Sequence, residues 1–492
     1  MYKAYVTTLK NVRPHSNADR LQLADCFGNT VCVGLEYKEG DVGVYFPVDG
    51  QLSEEFCKVH DLVRRKDENG NAAGGYLDPK KRNITAIKLR GEKSDGLFMP
   101  ISCLDYCFDV AVAEDVLNVG DTVDIVNSHL ICEKYIPYKA PKTSAGGAGT
   151  RAHRRAKRAL APTFFEHADT EQLVYNLADF KPGDYIDISL KMHGTSQRTG
   201  YLKVFQGYAD SFPCRVGNAI RKVMARLGGK NEEDIDFHHD GKEIYDWGYV
   251  SGTRRVVLDT FDGGFYGSNA FREPHAKKFE GKLWKGETVY YEVVGFTDTG
   301  APIMGSCGND KLGKDFVKQY GKETVFSYGC EPDGCKFYNK AAEDLAVKLN
   351  EHAEEKLLPQ SDIYVYRMTM TNDDGNVVEY TPDFMRYRCE LMGVKCVPSL
   401  WSGFIPQNPA SKDDPTITAG EWIQNKAELY YDGPDPVGKT HVREGVVVRI
   451  INRPKFAAYK HKNFDFKVLS GIAMAKTEAE GADVSEDILA EM

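Results

Sequence analysis

The sequence contains no apolar run that approaches the roughly 20 residues a transmembrane helix needs. Its first residues, Met1 to Val6, alternate like a strand and lack the long apolar stretch of a signal peptide. These absences argue against a membrane-spanning or secreted protein and lead us to expect a cytoplasmic one without a membrane partner.

Cysteine spacing of the zinc-binding kind is also missing. The twelve cysteines are scattered, and the only close pairs are Cys103/Cys107 and Cys330/Cys335. Neither pair has zinc-finger spacing with a second pair behind it, so a structural zinc site is not expected. Scattered thiols in apolar segments are typical of reduced cysteines in a cytoplasmic protein.

An excess of positive charge is absent as well, since the net charge is −9. A protein coated with nucleic-acid-binding surface would not carry this balance, so contact with a polyanion must come from local basic patches. One patch runs from Lys139 to Arg158 with seven basic residues and no acid, and the other from Arg215 to Leu227. The second predicts a helix with an apolar stripe opposite a basic face. A solvated linker and an ordinary surface helix remain the alternative interpretations.

With 492 residues, the chain is long enough for two or three domains. Residues 1–137 show many short strands broken by turn residues, which indicates a small barrel or sandwich. We expect a basic flexible linker at 138–160 and a mixed region at 161–474 with a helix near 340–358. An acidic mobile tail is expected at 475–492. The predicted fold class is α+β.

The segment Tyr185 to Ser196 suggests chemistry. An alternating strand carries Lys191 at its end, and Gly194 follows in a turn that would let a ligand approach the backbone. A lysine at such a position can act as a nucleophile if its pKa is lowered. Alone, this Lys-x-x-Gly pattern is weak evidence, because it occurs by chance in most long chains.

Further segments downstream strengthen the interpretation. They are Ser251-Gly252-Thr253-Arg254-Arg255, Val289-Tyr290-Tyr291-Glu292-Val293-Val294-Gly295, Tyr364-Val365-Tyr366, Arg443-Glu444-Gly445-Val446-Val447-Val448-Arg449 and Lys460-His461-Lys462. Glu292 and Glu444 interrupt apolar strands, where a carboxylate needs a cation partner such as a metal ion or a lysine. Lys460 and Lys462 would face the same side of a strand, as would Tyr364 and Tyr366. Acids, lysines and aromatic rings together suit a nucleoside triphosphate with Mg²⁺.

This ordered set resembles the covalent nucleotidyltransferase superfamily of polynucleotide ligases and mRNA capping enzymes, over residues 165 to 470. The resemblance implies that Lys191 accepts AMP, with His193 and Gly194 beside the nucleotide. It further implies a nucleotide or metal role for each of the other matched residues. Arg254, or its neighbour Arg255, matches motif Ia; Glu292 matches motif III near the ribose; Tyr364 or Tyr366 matches the base-stacking position; Glu444 matches motif IV near the metal; and Lys460 and Lys462 match motif V at the phosphates.

His193 departs from the family pattern. Many members carry an acid two residues after the nucleophile, whereas a neutral imidazole supplies no anion. Any role assigned to that acid is therefore in doubt for this chain, while the lysine nucleophile is unaffected.

The first 137 residues narrow the choice within the superfamily. The segments Val12 to Leu21, Gly40 to Asp49 and Leu89 to Leu97 look like an OB-type barrel of the tRNA-binding kind. An OB module in front of the transferase domain resembles one branch of RNA ligases. A purely structural docking domain is the other interpretation of this region.

The implied activity is that of an ATP-dependent RNA ligase in RNA repair. It would seal 3′-hydroxyl and 5′-phosphate ends through a lysyl-AMP intermediate, with Mg²⁺ or Mn²⁺ held near Glu444 and Glu292. The expected partner is RNA, and a monomer is expected. The alternatives are a DNA ligase, a GTP-dependent capping-type enzyme and a non-catalytic tRNA- or RNA-binding protein.

Overall fold

The computed structural model describes residues 2–66, 68, 70, 72–136, 160–168, 170–228, 237–258, 260–262, 266, 268–334, 336–337, 356–410 and 415–479. The basic segment from Lys139 to Arg158 lies outside these ranges, as do most of the helix predicted near 340–358 and residues 480–492 of the predicted tail. Residues 356–357, at the end of that predicted helix, form a strand instead.

Residues 2–136 consist mainly of short strands. They are β1 (Ala4–Thr8), β2 (Lys10–Pro14), β3 (Leu21–Cys26), β4 (Asn29–Gly34), β5 (Val42–Phe46), β6 (Gly50–Leu52), β7 (Arg64–Lys66), β8 (Ala72–Gly74), β9 (Ile87–Leu89), β10 (Glu92–Ser94), β11 (Leu97–Pro100), β12 (Thr122–Val123), β13 (Ile125–Val126), β14 (His129–Leu130) and β15 (Cys132–Lys134). Helices Glu54–Val59 and Ala113–Val116 and the 3₁₀ helix Ile101–Cys107 lie between them.

The strands of this first part form a four-stranded sheet in the order β11-β5-β1-β12, a three-stranded sheet β2-β3-β4 and several pairs. Apolar residues bury both faces of the four-stranded sheet, with Val6, Val44 and Phe46 on one face and Tyr45 and Phe98 on the other. Within the described residues these sheets do not join into one closed barrel. The short-strand architecture is thus as predicted, and the OB-type assignment stays a prediction.

The remaining strands run from residue 171 onward. They are β16 (Glu171–Gln172), β17 (Tyr185–Leu190), β18 (Thr195–Tyr208), β19 (Glu243–Thr253), β20 (Val257–Leu258), β21 (Glu287–Gly295), β22 (Cys307–Gly308), β23 (Glu323–Thr324), β24 (Lys336–Phe337), β25 (Lys356–Leu357), β26 (Ser361–Thr371), β27 (Val377–Glu379), β28 (Ser399–Phe404), β29 (Gly445–Ile450) and β30 (Ala457–Lys462). The helices are Phe212–Leu227, Glu273–Lys277, Lys314–Tyr320, Pro382–Met392, Ala419–Glu428 and Phe464–Ala479, with 3₁₀ helices Leu173–Tyr175, Leu177–Asp179, Ala270–Arg272 and Asp310–Leu312.

Two mainly antiparallel sheets organise this second part. A five-stranded sheet has the order β16-β30-β29-β17-β28, and a six-stranded sheet has the order β20-β19-β18-β21-β26-β27. The turn from Lys191 to Gly194 connects β17 of the first sheet to β18 of the second. This α+β arrangement therefore places the predicted nucleophile where the two sheets meet.

The helix Pro382–Met392, called the floor helix here, contacts both sheets through Arg386 with Asp187 on β17 and Arg388 with Glu287 on β21. The Thr381 hydroxyl caps it by accepting a hydrogen bond from the backbone amide of Phe384, and Pro382 occupies its first turn. Gly393 ends it in the left-handed conformation that glycine adopts most easily. Local sequence thus defines both ends of an element that borders the cleft.

Two ion pairs attach the first part of the chain to the last helix. Lys467 Nζ lies 2.5 Å from Asp95 Oδ2, and Lys88 Nζ lies 3.0 Å from Asp465 Oδ1. All four side chains are at most 21% exposed. No helix in the described part of the chain is long and apolar enough to cross a membrane.

Candidate active site

Lys191 lies directly beside Glu444. Strand β17 pairs with β29, and the backbone amide of Lys191 donates to the carbonyl of Gly445 at 3.0 Å. This pairing brings Lys191 Nζ to 2.7 Å from Glu444 Oε1. The lysine side chain is 24% exposed and the glutamate side chain 3%, so the ammonium group sits at the boundary between the core and the solvent.

The two glycines of the predicted motifs are required by close backbone approach. A Cβ atom on Gly194 would lie 2.4 Å from the carbonyl oxygen of Val293, and one on Gly445 would lie 2.1 Å from that of His461. Gly445 also has a φ of +147°, which L-residues rarely adopt. Both positions therefore need glycine for packing, independently of any ligand.

Glu444 is the electrostatic centre of the site. Besides Lys191, its carboxylate lies 3.5 Å from His193 Nδ1 and 3.7 Å from Lys462 Nζ. Burial by itself would raise the pKa of Glu444, but Lys191, His193 and Lys462 together lower this pKa far below its usual range. The carboxylate is therefore anionic at neutral pH.

Lys460 lies within a group of positive charges. Its pKa is lowered to about 7, first by burial and then by Lys462, Lys191, Arg254 and Lys134. Lys134 belongs to β15 in the first part of the chain, so both parts contribute charge to this location. A cluster of five cations, with one lysine close to losing its proton, is a strong attractor for a polyphosphate.

The imidazole of His193 is held between aromatic rings. Its centroid lies 4.7 Å from those of both Phe326 and Phe466, each in an edge-on arrangement. The backbone amide of His193 donates to the Tyr328 hydroxyl at 2.8 Å. A packed imidazole ring thus occupies the position two residues after Lys191, where the sequence motif of the nucleotidyltransferase superfamily often has an acid.

Tyr328 connects Glu292 with Glu444. Burial is the main reason why the pKa of this phenol is raised well above its usual value, and the nearby carboxylates of Asp435, Glu444 and Glu292 raise it further. Glu292 itself lies on β21 opposite Ser196 and is partly exposed. The two acids predicted near the metal therefore occupy one neighbourhood.

A cleft opens between the two sheets next to Lys191. Its empty space, which includes the part open to solvent, is about 1000 Å³. Four of the predicted residues line it, namely Lys191, Arg254, Glu292 and Tyr366. Ser189 and Val447 complete the wall next to Lys191.

The sequence left two choices open, Arg254 or Arg255 and Tyr364 or Tyr366, and the structure shows which member of each pair lines the cleft. Arg254 lines the cleft, whereas Arg255 lies 3.9 Å from Glu166. Tyr366 also lines the cleft, and its hydroxyl lies 2.9 Å from Ser196 Oγ. Tyr364 is 6% exposed and belongs to the core formed around Leu190 and Met192.

Several lining residues were not predicted from the sequence. They are His167, Asp187, Arg367, Arg386, Arg449 and Phe456. Asp187 could have been found, because the period of two places it on the same strand face as Ser189 and Lys191. His167 gave no signal of this kind; burial, followed by the charges of Arg367 and Arg254, lowers its pKa and keeps its ring neutral.

Asp187 is a buried carboxylate whose polar contacts involve one of its two oxygens, Oδ1. Its Oδ1 accepts hydrogen bonds from Ser399 at 2.7 Å and Ser402 at 2.8 Å, and Arg386 lies 3.4 Å away. These contacts all end on Oδ1, so Oδ2 keeps its capacity to accept a hydrogen bond from a ligand.

The acids of the site fit a divalent cation of the Mg²⁺ type. Glu444 Oε2 is buried and has a long contact of 3.5 Å with His193 Nδ1, and Glu292 faces the adjacent cleft. Glu292 and Glu444 do not belong to a cluster of three ligands in the described chain. Mg²⁺ needs no such cluster, because it is usually bound by one or two carboxylates together with water and substrate phosphates.

Comparisons with known proteins gave distant structural matches alone. No protein-family model and no curated protein matches the sequence. The chain is similar to solved structures of Naegleria gruberi RNA ligase. A lysine-to-alanine mutant with ATP and Mn is 15% identical, with 95% of this chain and 97% of that chain covered and a TM-score of 0.47. A glutamate-to-alanine mutant with ATP and Mn is 15% identical, with 94% of this chain and 98% of that chain covered and a TM-score of 0.48. The ligase with PPi is also 15% identical, with 94% of this chain and 96% of that chain covered and a TM-score of 0.44.

Proposed function

We propose that the protein is an ATP-dependent RNA ligase that carries AMP on Lys191. The observation behind this proposal is the contact of Lys191 Nζ with the buried Glu444, at the edge of a cleft and within a group of cations. A lone surface lysine would have neither the buried acid nor the cleft. The arrangement suits capture of a nucleoside triphosphate with its phosphates near Lys460 and Lys462.

The first chemical step forms the enzyme–AMP adduct. The unprotonated amine of Lys191 attacks the α-phosphorus of ATP, so that a P–N bond forms while the P–O bond to pyrophosphate breaks. Such a displacement depends on positioning and charge neutralisation. Lys460, Lys462 and Lys134 attract the leaving pyrophosphate, and a bound Mg²⁺ or Mn²⁺ would neutralise further negative charge.

Two transfers then join the strands. AMP passes from Lys191 to a 5′-phosphate end, and a 3′-hydroxyl attacks the activated end and releases AMP. In the 2.7 Å ion pair the Lys191 ammonium donates an N–H to Glu444 Oε1 and has no lone pair, so Lys191 must give up a proton and leave Glu444 before it can attack in the first step. Binding of the anionic substrate with its cation is the event that we expect to release it.

RNA is the proposed polynucleotide, with residues 1–137 as an OB-type module and 161–474 as the nucleotidyltransferase domain. The mainly antiparallel short strands of the first part and its position ahead of Lys191 support this division. We further place the protein in the cytoplasm as a monomer. Its described cysteines are all free thiols, in agreement with a reducing compartment.

Incubation with α-labelled ATP and Mg²⁺ in the absence of RNA tests the proposal. Label should remain on the wild-type protein after denaturing electrophoresis and be absent from Lys191→Ala. Lys311→Ala, an exposed lysine outside the site, should label like the wild type. If wild-type protein stays unlabelled with both ATP and GTP, the nucleotidyltransferase proposal is wrong.

Nicked duplexes then identify the substrate. Sealing should depend on ribonucleotides at the 3′-hydroxyl side of the nick. Equal sealing of an all-DNA nick would replace the RNA ligase proposal by a DNA ligase. Labelling with GTP in preference to ATP would indicate a capping-type enzyme.

A further inference from the structure

Strands β18 and β19 extend beyond the six-stranded sheet as a two-stranded arm. Strand β21 pairs with β18 at residues 195–200 only, and β20 pairs with β19 at residues 251–252 only. The pairing of β18 with β19 continues from Tyr201 to Tyr208 and from Glu243 to Val250. We call this part of the hairpin the arm. Neither of its strands has another strand beside it in the described chain.

The two faces of the arm differ in chemistry. On one face, Leu202, Val204 and Val250 pack against Ala161 and Phe164. This face is an ordinary small core, and it anchors the arm to the preceding segment. The arm therefore has a fixed orientation. At its base, the other face also has structural contacts, since Tyr201 packs against the core around Val289 and the Tyr249 hydroxyl accepts a hydrogen bond from the amide of Gly281; the rest of this face is left to be explained.

Three cross-strand pairs form that other face, which we call the aromatic ladder. They are Tyr201 with Tyr249, Lys203 with Trp247 and Phe205 with Tyr245. The Tyr201 and Tyr249 rings stack at 4.6 Å, and the Phe205 and Tyr245 rings lie 5.7 Å apart. All six residues are at least partly exposed, and Tyr249 is 36% exposed. Five aromatic side chains and no aliphatic one occupy this face.

Two lysines lie over the ladder. Lys203 Nζ is 5.8 Å and Lys285 Nζ 5.3 Å from the ring centroid of Trp247. Lys203 also pairs with Asp373 at 2.8 Å, but both side chains are well exposed, at 41% and 62%. An exposed ion pair of this kind contributes little to the stability of the protein. A phosphate group could therefore replace Asp373 as the partner of Lys203.

The acids of the arm lie away from the middle of the ladder. Asp246 alternates to the opposite face and accepts a hydrogen bond from the amide of Trp247. Glu243 stands at the tip, where its carboxylate accepts a hydrogen bond from the Tyr245 hydroxyl. The acids of the arm itself thus limit the ladder at its tip, and Asp373 is the acid that an anionic partner would displace from Lys203.

We propose that the aromatic ladder binds single-stranded RNA. Bases stack on exposed aromatic rings, and phosphates between the bases pair with interleaved cations; this combination typifies sequence-tolerant single-strand binding. The two lysines at the ladder favour an anionic strand over a neutral protein surface, whereas an aliphatic face beside basic residues suits a lipid surface. The aliphatic, basic helix Phe212–Leu227 at the end of the arm has that other character and is not part of the proposed surface.

The inference concerns RNA contact alone, and it holds or fails independently of the chemistry at Lys191. The test is the affinity of the protein for 5′-fluorescein-labelled oligouridylate, measured by fluorescence anisotropy. Trp247→Ile removes a stacking ring but keeps a strand-forming side chain, and it should weaken binding by roughly 5- to 150-fold. Trp247→Phe keeps an aromatic ring and should retain most of the affinity. Tyr387→Ala removes a 54% exposed ring outside the arm and should have no effect.

Salt dependence supplies a second readout. The double variant Lys203→Gln with Lys285→Gln should reduce the slope of log affinity against log salt by roughly 1.4, since about 0.7 counterion is released per phosphate contact of a single strand. The inference is overturned if Trp247→Ile and the double variant bind oligouridylate like the wild type. Lysyl-AMP labelling of the same preparations keeps the two proposals apart, because arm variants should label normally.

Discussion

At the scale of single residues, the contact of Lys191 with Glu444 combines two opposing requirements. A nucleophile must be free to lose its proton, whereas a carboxylate buried to 3% exposure needs a cation. Lys462 Nζ lies 3.7 Å and His193 Nδ1 3.5 Å from the same carboxylate, so Glu444 does not depend on Lys191 alone. Lys191 can therefore leave without stranding an unpaired buried charge.

Gly194 offers the simplest residue-scale prediction. In Gly194→Ala the new Cβ would meet the carbonyl oxygen of Val293 at 2.4 Å, so the turn after Lys191 must shift. We expect a loss of about 1–3 kcal/mol in the free energy of unfolding and slower lysyl-AMP formation. Denaturant titration and α-labelled ATP measure these effects.

Gly217→Ala is the matched control for this glycine substitution. Gly217 lies in the helix Phe212–Leu227, and its added Cβ would have no atom within 4 Å. Alanine should there stabilise the protein by about 1 kcal/mol, because it is the better helix former. Unchanged labelling by Gly194→Ala would contradict the account of the turn.

Asp187 carries a prediction about nucleotide choice. Its free Oδ2 can accept a hydrogen bond from the 6-amino group of adenine but would repel the 6-oxo group of guanine. Asp187→Asn, whose amide can donate, should narrow the preference for ATP over GTP about 10-fold or more. Competition between labelled ATP and GTP measures this ratio. Asp184→Asn, a buried acid paired with Arg453, should leave the ratio unchanged.

At the scale of elements, the floor helix depends on one buried ion pair. Arg388 lies 2.7 Å from Glu287 on β21, and the two side chains are 4% and 0% exposed. The Tyr380 hydroxyl adds a hydrogen bond to the same carboxylate at 2.9 Å. Pro382, Met385 and Arg386 of this helix line the cleft, so the ion pair holds the cleft wall to the six-stranded sheet.

Arg388→Met should therefore be severely destabilising. It leaves the Glu287 carboxylate buried without its cation, at a cost of about 3–5 kcal/mol. Chemical denaturation measures the change. Arg65→Met breaks an exposed pair with Asp61 and should cost at most about 1 kcal/mol. Equal effects of the two substitutions would show that the buried pair has no special role.

The same elements show what the sequence could predict. The alternating segment before Lys191, the apolar segment after Glu444 and the segment of Lys460 and Lys462 were correctly predicted as strands. Alternation failed to separate Tyr364 from Tyr366, because the register of β21 against β26 shifts between Tyr290 and Tyr291. A bulge of this type leaves no mark in the local pattern of side chains. The floor helix and its cleft residues also depend on contacts between distant segments.

At the scale of the whole molecule, both parts of the chain determine the charge around Lys460, where we propose that the phosphates bind. The pKa of Lys460 is about 7, and Lys134 of the first part is among the charges that lower it. The ion pairs of Lys467 with Asp95 and of Lys88 with Asp465 hold the two parts together. Charge at the site should thus respond to substitutions more than 300 positions away in the sequence, since Lys134 and Lys460 are distant along the chain.

This coupling predicts proton uptake on ligand binding. At pH 8, above the pKa of about 7, Lys460 is mostly neutral in the empty site. Pyrophosphate favours the charged form and raises this pKa, so its binding should take up nearly one proton, and its affinity should fall as the pH rises through 7. Calorimetry in two buffers with different ionisation enthalpies measures the uptake.

Two substitutions test the origin of this proton. Lys460→Met should abolish the uptake, which identifies the group. Lys134→Met removes a neighbouring positive charge, so the pKa of Lys460 in the empty site should rise above 7, and the uptake at pH 8 should become smaller. Lys3→Met should leave the uptake unchanged, because Lys3 is a partly exposed lysine of the first part and is not one of the charges named above as lowering the pKa of Lys460. If Lys134→Met binds with the same uptake as wild type, the first part of the chain does not control the charge of the site.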